Sequence, residues 1–119
     1  MIVRRNSLKA IDFGGLSILD YTADADLGSS LAVIEVPPGA AHAEAWSRRS
    51  DKYYLVVEGE LEFMVQGDRF VLGQGDFCFI EQGKRFAYAN RGSSPASLVL
   101  VHTPSFDLDS EVFPPESAA

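Results

Sequence analysis

The spacing of turn residues constrains this chain most. Pro37-Pro38-Gly39, Glu58-Gly59, Gln66-Gly67-Asp68, Gly73-Gln74-Gly75-Asp76, Gln82-Gly83-Lys84 and Asn90-Arg91-Gly92 punctuate it at short intervals. Between them lie short apolar or alternating runs with little helical periodicity. This pattern predicts strands near Leu16–Tyr21, Leu31–Val36, Lys52–Val57, Leu61–Val65, Arg69–Leu72, Phe77–Ile80, Arg85–Ala89 and Ser97–His102, with His42–Trp46 as a further short strand. Seven or more short strands at this spacing indicate an all-β antiparallel sandwich or barrel. Gly59, between YYLVV and ELEFMV, is expected to supply the positive φ of a tight hairpin turn. Asp76 is expected to close the next corner on local backbone.

A chain of 119 residues, 46% of them hydrophobic, fits one domain with a single core. The segment 104–119 reads as an acidic C-terminal tail: it holds Asp107, Asp109, Glu111 and Glu116, has no cation, and is expected to fray at its end. Its Phe106 and Phe113 leave two readings open, folding across a barrel mouth or packing on an outer sheet. A net charge of -7 argues against nucleic acid and against anionic membrane surfaces, both of which need clustered cations. The N-terminal MIVRRNSLKAIDF lacks the long apolar run of a signal peptide, and no stretch approaches the ~20 apolar residues of a span. One cysteine, Cys78, excludes an intramolecular disulfide and points to a reducing, cytoplasmic setting. Flanked by Phe77 and Phe79, it reads as a small buried hydrophobe rather than a nucleophile.

From Pro37 to Asn90 the residues resemble a small single-domain cupin, a jelly-roll barrel also described as a double-stranded β-helix. Gly39, Gly59, Gly75-Asp76, Gly83 and Asn90 stand where the two cupin motifs place their turn residues. The metal ligands of those motifs do not carry over. In strict register the two histidine positions are Ala45 and Ser47, the glutamate position is Lys52, and the last histidine is Phe86. In a second register His42-Ala43-Glu44 replaces the His-x-His, which still leaves only two plausible ligands beside a lysine. A transition-metal site needs three or four donors, so neither a metal nor another cofactor is expected.

Barrel side chains alternate in and out. If Lys52 and Phe86 point inward, Tyr54, Val56, Tyr88 and Asn90 do too, and His42, Glu44 and Trp46 share one face of a regular strand. The expected pocket therefore has His42, Tyr54 and Tyr88 as catalytic candidates, with Glu44, Trp46, Lys52, Phe86, Asn90 and His102 around a small-molecule substrate. His42 is read either as a general base, its tautomer fixed by Glu44, or as a structural histidine bonded to a loop carbonyl. Tyr54 and Tyr88 either steady a charged substrate oxygen or are core phenols. Lys52 has four open readings: paired with Glu44 or Glu62, holding an anionic group, forming a Schiff base, or turned to water at the rim. His102 lines the mouth or is a satisfied strand-end histidine.

The His42–Tyr54–Tyr88 set is similar to that of the metal-free nucleoside dehydratases of uridyl-peptide antibiotic pathways. The resemblance implies a lyase or isomerase acting on a sugar-, nucleoside- or polyketide-like carbonyl compound, with His42 taking the proton next to the carbonyl. The alternative is a cupin that holds a sugar or organic acid without reacting. A homodimer is also expected, because exposed edge strands need covering and the strands near Leu8–Ile18 are candidates.

Overall fold

The structure, a computed structural model, describes residues 1–114. It has eleven strands: β1 Ile11–Phe13, β2 Leu16–Asp20, β3 Ser30–Val36, β4 Ala41–Ser47, β5 Asp51–Glu58, β6 Glu60–Val65, β7 Asp68–Gly73, β8 Phe77–Ile80, β9 Phe86–Ala89, β10 Ala96–Thr103 and β11 Glu111–Val112. One sheet runs β1-β2-β3-β10-β5-β8 and the other β11-β4-β9-β6-β7. Every pairing is antiparallel, which gives the jelly roll expected from the turn spacing. All nine sequence-read strands are present with bounds shifted by at most one residue at either end. The short β1 falls within the edge-strand region expected near Leu8–Ile18, whereas β11 escaped notice because it carries no apolar run.

Two turns show how the backbone dictates the residues. Gln66 (φ 52°) and Gly67 (φ 85°) both take positive φ between β6 and β7, the geometry of a two-residue hairpin whose twist matches its strands. Gly59 has positive φ too, but the hairpin expectation is corrected: β5 and β6 lie in different sheets. Gly59 is the corner where the chain crosses between them, and a Cβ there would lie 2.6 Å from the Pro95 carbonyl oxygen. Asp76 Oδ2 accepts from the Gly73 amide at 2.8 Å, closing its corner as expected.

The interior is full at one end and hollow at the other. Along β10 the inward side chains are Ala96, Leu98, Leu100 and His102, and along β5 they are Val56, Tyr54 and Lys52. Leu98 pairs with Ile34 and Val56, a tightly filled layer. The next layers are Ala32–Leu100–Tyr54 and Ser30–His102–Lys52. The inward residues of β3 thus shrink from Val36 and Ile34 to Ala32 and Ser30, and the missing volume opens a cavity.

The tail closes over that cavity. Ser50 Oγ donates to the Pro104 carbonyl at 2.7 Å and Arg49 Nε to the Ser105 carbonyl at 3.0 Å. The Phe106 amide donates to Ser30 Oγ at 2.8 Å, and β11 pairs with β4 at Ser47 and Trp46. Of the two readings of Phe106 and Phe113, the structure takes the first: both line the cavity. The expected fraying concerns residues 115–119, which lie outside the described residues.

Candidate functional site

The cavity has a volume of about 250 Å³. Its polar side chains include His42, Lys52, Tyr54, Tyr88, His102 and Glu111, while Phe13, Ile34, Leu100, Phe106, Leu108 and Phe113 contribute to an apolar wall. Strand register brings these groups together. His42 on β4 lies opposite Tyr88 on β9, and Tyr54 on β5 reaches Tyr88 from the other sheet, with ring centres 5.6 Å apart.

His42 is sandwiched among aromatic rings, with centroids 5.0 Å from Phe86, 5.2 Å from Tyr88 and 5.9 Å from both Phe13 and Phe113. Its Nδ1 lies 2.7 Å from the Ala43 carbonyl oxygen. A carbonyl only accepts, so Nδ1 carries the proton and Nε2 keeps its lone pair. Burial pushes the His42 pKa down to about 4, partly opposed by the Ala43 hydrogen bond and assisted by the nearby Lys52 charge. The ring is therefore neutral at pH 7, the state a proton acceptor needs.

Tyr54 and Tyr88 are both fully enclosed, and burial raises the pKa of each phenol. They stay protonated and are hydrogen-bond donors throughout the physiological range. The Tyr88 hydroxyl is buried without a partner among the described residues. An orphaned buried polar group costs about 1–3 kcal/mol; on a cavity wall it suits a ligand atom that would satisfy it.

Across the cavity the polar groups satisfy one another. Lys52, only 3% exposed, pairs with Glu111 on β11, and its Nζ donates to His102 Nε2 at 2.8 Å. Burial and the Lys52 charge push the His102 pKa down to about 3, so its Nε2 is a neutral acceptor. Burial likewise pulls the Lys52 ammonium down from its usual range, opposed by the Glu111 carboxylate. The partners expected for Lys52, Glu44 and Glu62, are both corrected. Glu62 faces outward to Arg69 and Arg91, and Glu44 bonds Arg85 Nη1 at 2.9 Å on the surface. The rim alternative for Lys52 falls with its burial.

Three of the expected pocket residues stand elsewhere. The pairing of β4 with β9 slips between His42 and Ala45: His42 opposes Tyr88, but Ala45 opposes Phe86. This β-bulge inserts one residue and reverses the alternation beyond it. Glu44 and Trp46 therefore leave the cavity, and Ala45 and Ser47 turn inward, both buried. Trp46 instead carries the Arg48 guanidinium 5.8 Å from its ring centre. The Ala43 carbonyl, rather than Glu44, fixes the His42 tautomer. Asn90 is buried, but its amide donates to the Val36 and Ser94 carbonyls at 2.9 and 2.7 Å while its Oδ1 accepts from the Gly92 amide. It is a fully occupied structural clasp. Phe86 sits behind the site, packed on His42 and 5.3 Å from Lys52 Nζ.

Glu111 was missed because the tail reads as an acidic surface. Two signals point to it: an inward lysine requires a carboxylate, and Glu111 alternates with Phe113 on one face. The chemistry of the cavity residues also bears on whether they suit a metal. Ala45, Ser47, Lys52 and Phe86 stand in the strict ligand positions, and the described residues contain no group of three His, Cys, Asp or Glu side chains able to hold an ion. His102 Nε2 is committed to an ammonium that would repel a divalent cation. These residues do not fit the metal that the fold often carries.

Comparison with known proteins agrees with this architecture. Tetracenomycin polyketide synthase protein TcmJ of Streptomyces glaucescens is 35% identical over 74 residues; the match covers 62% of this chain and 50% of that protein, so the chain spans about half of that relative's length. Among solved structures, the nucleoside dehydratase Pac13 superposes with a TM-score of 0.82 at 20% identity, covering 94% of this chain and 88% of that one. A Streptomyces PAC13 variant has been solved with uridine. A predicted oxalate decarboxylase from Thermotoga maritima superposes with a TM-score of 0.79 at 18% identity, covering 87% of this chain and 99% of that one. At such identities the likeness is one of fold. No helix among the described residues is long and apolar enough to cross a membrane. The model of the cupin domain family, Cupin_2, matches residues 32–102, more than half of the sequence, and the chain belongs to that family.

Proposed function

We propose that this cupin is a metal-independent lyase or isomerase that removes a proton next to a carbonyl group. The observation that carries the reading is His42: its Nδ1–H is held by the Ala43 carbonyl, leaving the Nε2 lone pair on a neutral ring that lines the cavity. In the proposed step Nε2 accepts the α-proton and the C–H electron pair becomes an enolate. The oxygen charge that develops is met by the phenolic O–H of Tyr88, whose hydroxyl lacks a partner among the described residues, and by Tyr54. In a β-hydroxy carbonyl substrate the enolate then expels the hydroxyl. The imidazolium returns its proton to that leaving group, and the products are an unsaturated carbonyl compound and water.

The apolar wall favours a substrate with an aromatic or otherwise apolar body over a free sugar, because burying unpaired sugar hydroxyls there is costly. The similarity to a polyketide synthase protein supports the same preference. A second reading, holding a ligand without turnover, is favoured by the mutual satisfaction of Lys52, Glu111 and His102.

The experiment is α-proton exchange into D₂O, followed by NMR on an aromatic β-hydroxy ketone. Catalysed exchange that falls by about 10²–10⁴-fold in His42→Gln supports the reading. Saturable binding of that ketone without exchange selects the holding role.

A further inference from the structure

Among the described residues, the cavity lining holds three charged side chains: Lys52, Glu111 and Asp20. Lys52 and Glu111 neutralise each other. Asp20 on β2 has no ion-pair partner among the described residues. Strand register places it far from the His42, Tyr54 and Tyr88 group. Asp20 pairs with Ala32 on β3, Ala32 with Leu100 on β10, and Leu100 with Tyr54 on β5. Residues directly opposite in a ladder share a face, and all four line the cavity. With strands about 4.8 Å apart, three steps separate the Asp20 and Tyr54 backbones by roughly 14 Å. Between them lie Ala32 and Leu100, with Ile18 and Ile34 beside them, an apolar floor.

The half-buried carboxylate is held in place. Its Oδ1 accepts from the Thr22 amide at 3.0 Å and from the Thr22 hydroxyl at 3.4 Å. That hydroxyl in turn accepts from the Leu31 amide at 3.0 Å. No described residue engages Oδ2, which keeps its acceptor capacity at the cavity wall.

We infer that Asp20 is a specificity-determining residue of this cavity. Its Oδ2 accepts a hydrogen bond from a hydroxyl at the far end of a neutral aromatic ketone, and its charge excludes ligands that carry a carboxylate or phosphate there. The inference rests on the proposed function for the orientation of the ligand, with the carbonyl toward Tyr88. The span suits two fused aromatic rings with a polar substituent at either end. A hydroxyl costs less to desolvate over the apolar floor than an ammonium group, which would also match the charge. An anionic group would meet a like charge and find no counter-ion, since the cation of the lining is already paired with Glu111.

Specificity and chemistry thus lie at opposite ends of one cross-strand row. Tyr54 ends it beside His42 and Tyr88, and Asp20 ends it at the edge of β2.

The test is isothermal titration calorimetry of the full chain at pH 7 with three ketones: 2-acetyl-6-hydroxynaphthalene, 2-acetylnaphthalene and 6-acetyl-2-naphthoic acid. The hydroxy ketone is expected to bind roughly 10-fold or more tighter than the unsubstituted ketone, as hydrogen bonds to charged groups do. It is expected to bind at least about 30-fold tighter than the acid, which places like charges together. In Asp20→Asn, whose Oδ1 can keep the Thr22 bond, the first ratio should shrink to about threefold. The second should vanish or reverse, because an amide N–H then faces the acid. Asp24→Asn removes the same charge at an exposed position outside the lining and should change neither ratio by more than about twofold. Thermal melting reports whether each variant is folded. In the wild type, the hydroxy ketone is expected to shift the NMR signals of the Asp20 carboxyl carbon and the Thr22 amide, a reading free of mutations. Equal binding of the three ketones, or binding of none, overturns the inference. So do ratios unchanged in folded Asp20→Asn, or shifts that spare Asp20. α-Proton exchange separates this inference from the catalytic one. Exchange of the hydroxy ketone and the acid at equal rates contradicts the role of Asp20 and leaves that of His42 standing, whereas selective binding without exchange does the reverse.

Discussion

The two polar walls of the cavity are built from similar groups and left in opposite states. On one wall His42 has an Nε2 lone pair and Tyr88 a hydroxyl that no other described residue engages. On the other, Lys52, His102 and Glu111 consume one another's hydrogen-bonding capacity. Buried polar groups are ordinarily satisfied, so the second wall accounts for itself as structure. The first requires an outside atom to complete it. The contrast separates residues placed to hold the tail from residues placed to meet a ligand, although all five lie in one cavity.

The comparison breaks most readily at His42. His42→Gln is expected to lower α-proton exchange by about 10²–10⁴-fold, an effect far larger than the stability lost with the ring's packing on Phe13, Phe86, Tyr88 and Phe113. A comparable loss of stability would move His42 to the structural wall.

On that wall the expected effect is on folding. Glu111→Gln leaves the Lys52 ammonium buried without its counter-charge, and breaking such a pair costs about 3–5 kcal/mol. Replacing both, Lys52→Met with Glu111→Leu, is expected to recover most of the loss or exceed the wild type, since the pair's desolvation is removed with it. Urea unfolding of the three proteins measures the cycle.

Tyr88→Phe sharpens the contrast from the other direction. Deleting an unsatisfied hydroxyl is expected to leave stability unchanged or raise it by about 1–3 kcal/mol, while exchange activity falls. A clear loss of stability would mean that the hydroxyl has a partner in the free protein.

A further effect is in pH. Both histidines have folded pKa values below the ordinary 6.5, about 4 for His42 and about 3 for His102. Between these values and 6.5 the unfolded chain binds more protons than the native one, so stability is lost as pH falls through that window. The melting temperature should therefore decline from about pH 6.5 to 4, and His102→Gln should flatten part of the decline.

The legible and illegible parts of the sequence divide at regular and irregular backbone. Along β5 and β9 strict alternation holds, and Lys52, Tyr54, Phe86 and Tyr88 all turn inward as their spacing predicts. Along β4 a bulge with no glycine or proline to mark it reverses the phase, which misplaced Glu44 and Trp46. Asn90 kept the right parity, yet it lies one residue beyond the strand, where backbone carbonyls claim its amide. Glu111 belongs to a two-residue strand that exists only because β4 pairs with it, and no local pattern encodes so short an element. Side-chain periodicity is local and readable; tertiary pairing partners are not.

The central claim is that His42 is a neutral base with its free nitrogen at Nε2. Nitrogen-15 NMR of labelled imidazole reads both properties at once. The account predicts that His42 stays in the Nδ1–H tautomer from pH 8 down to its titration near pH 4. An Nε2–H tautomer, or a titration at the ordinary 6.5, would contradict it.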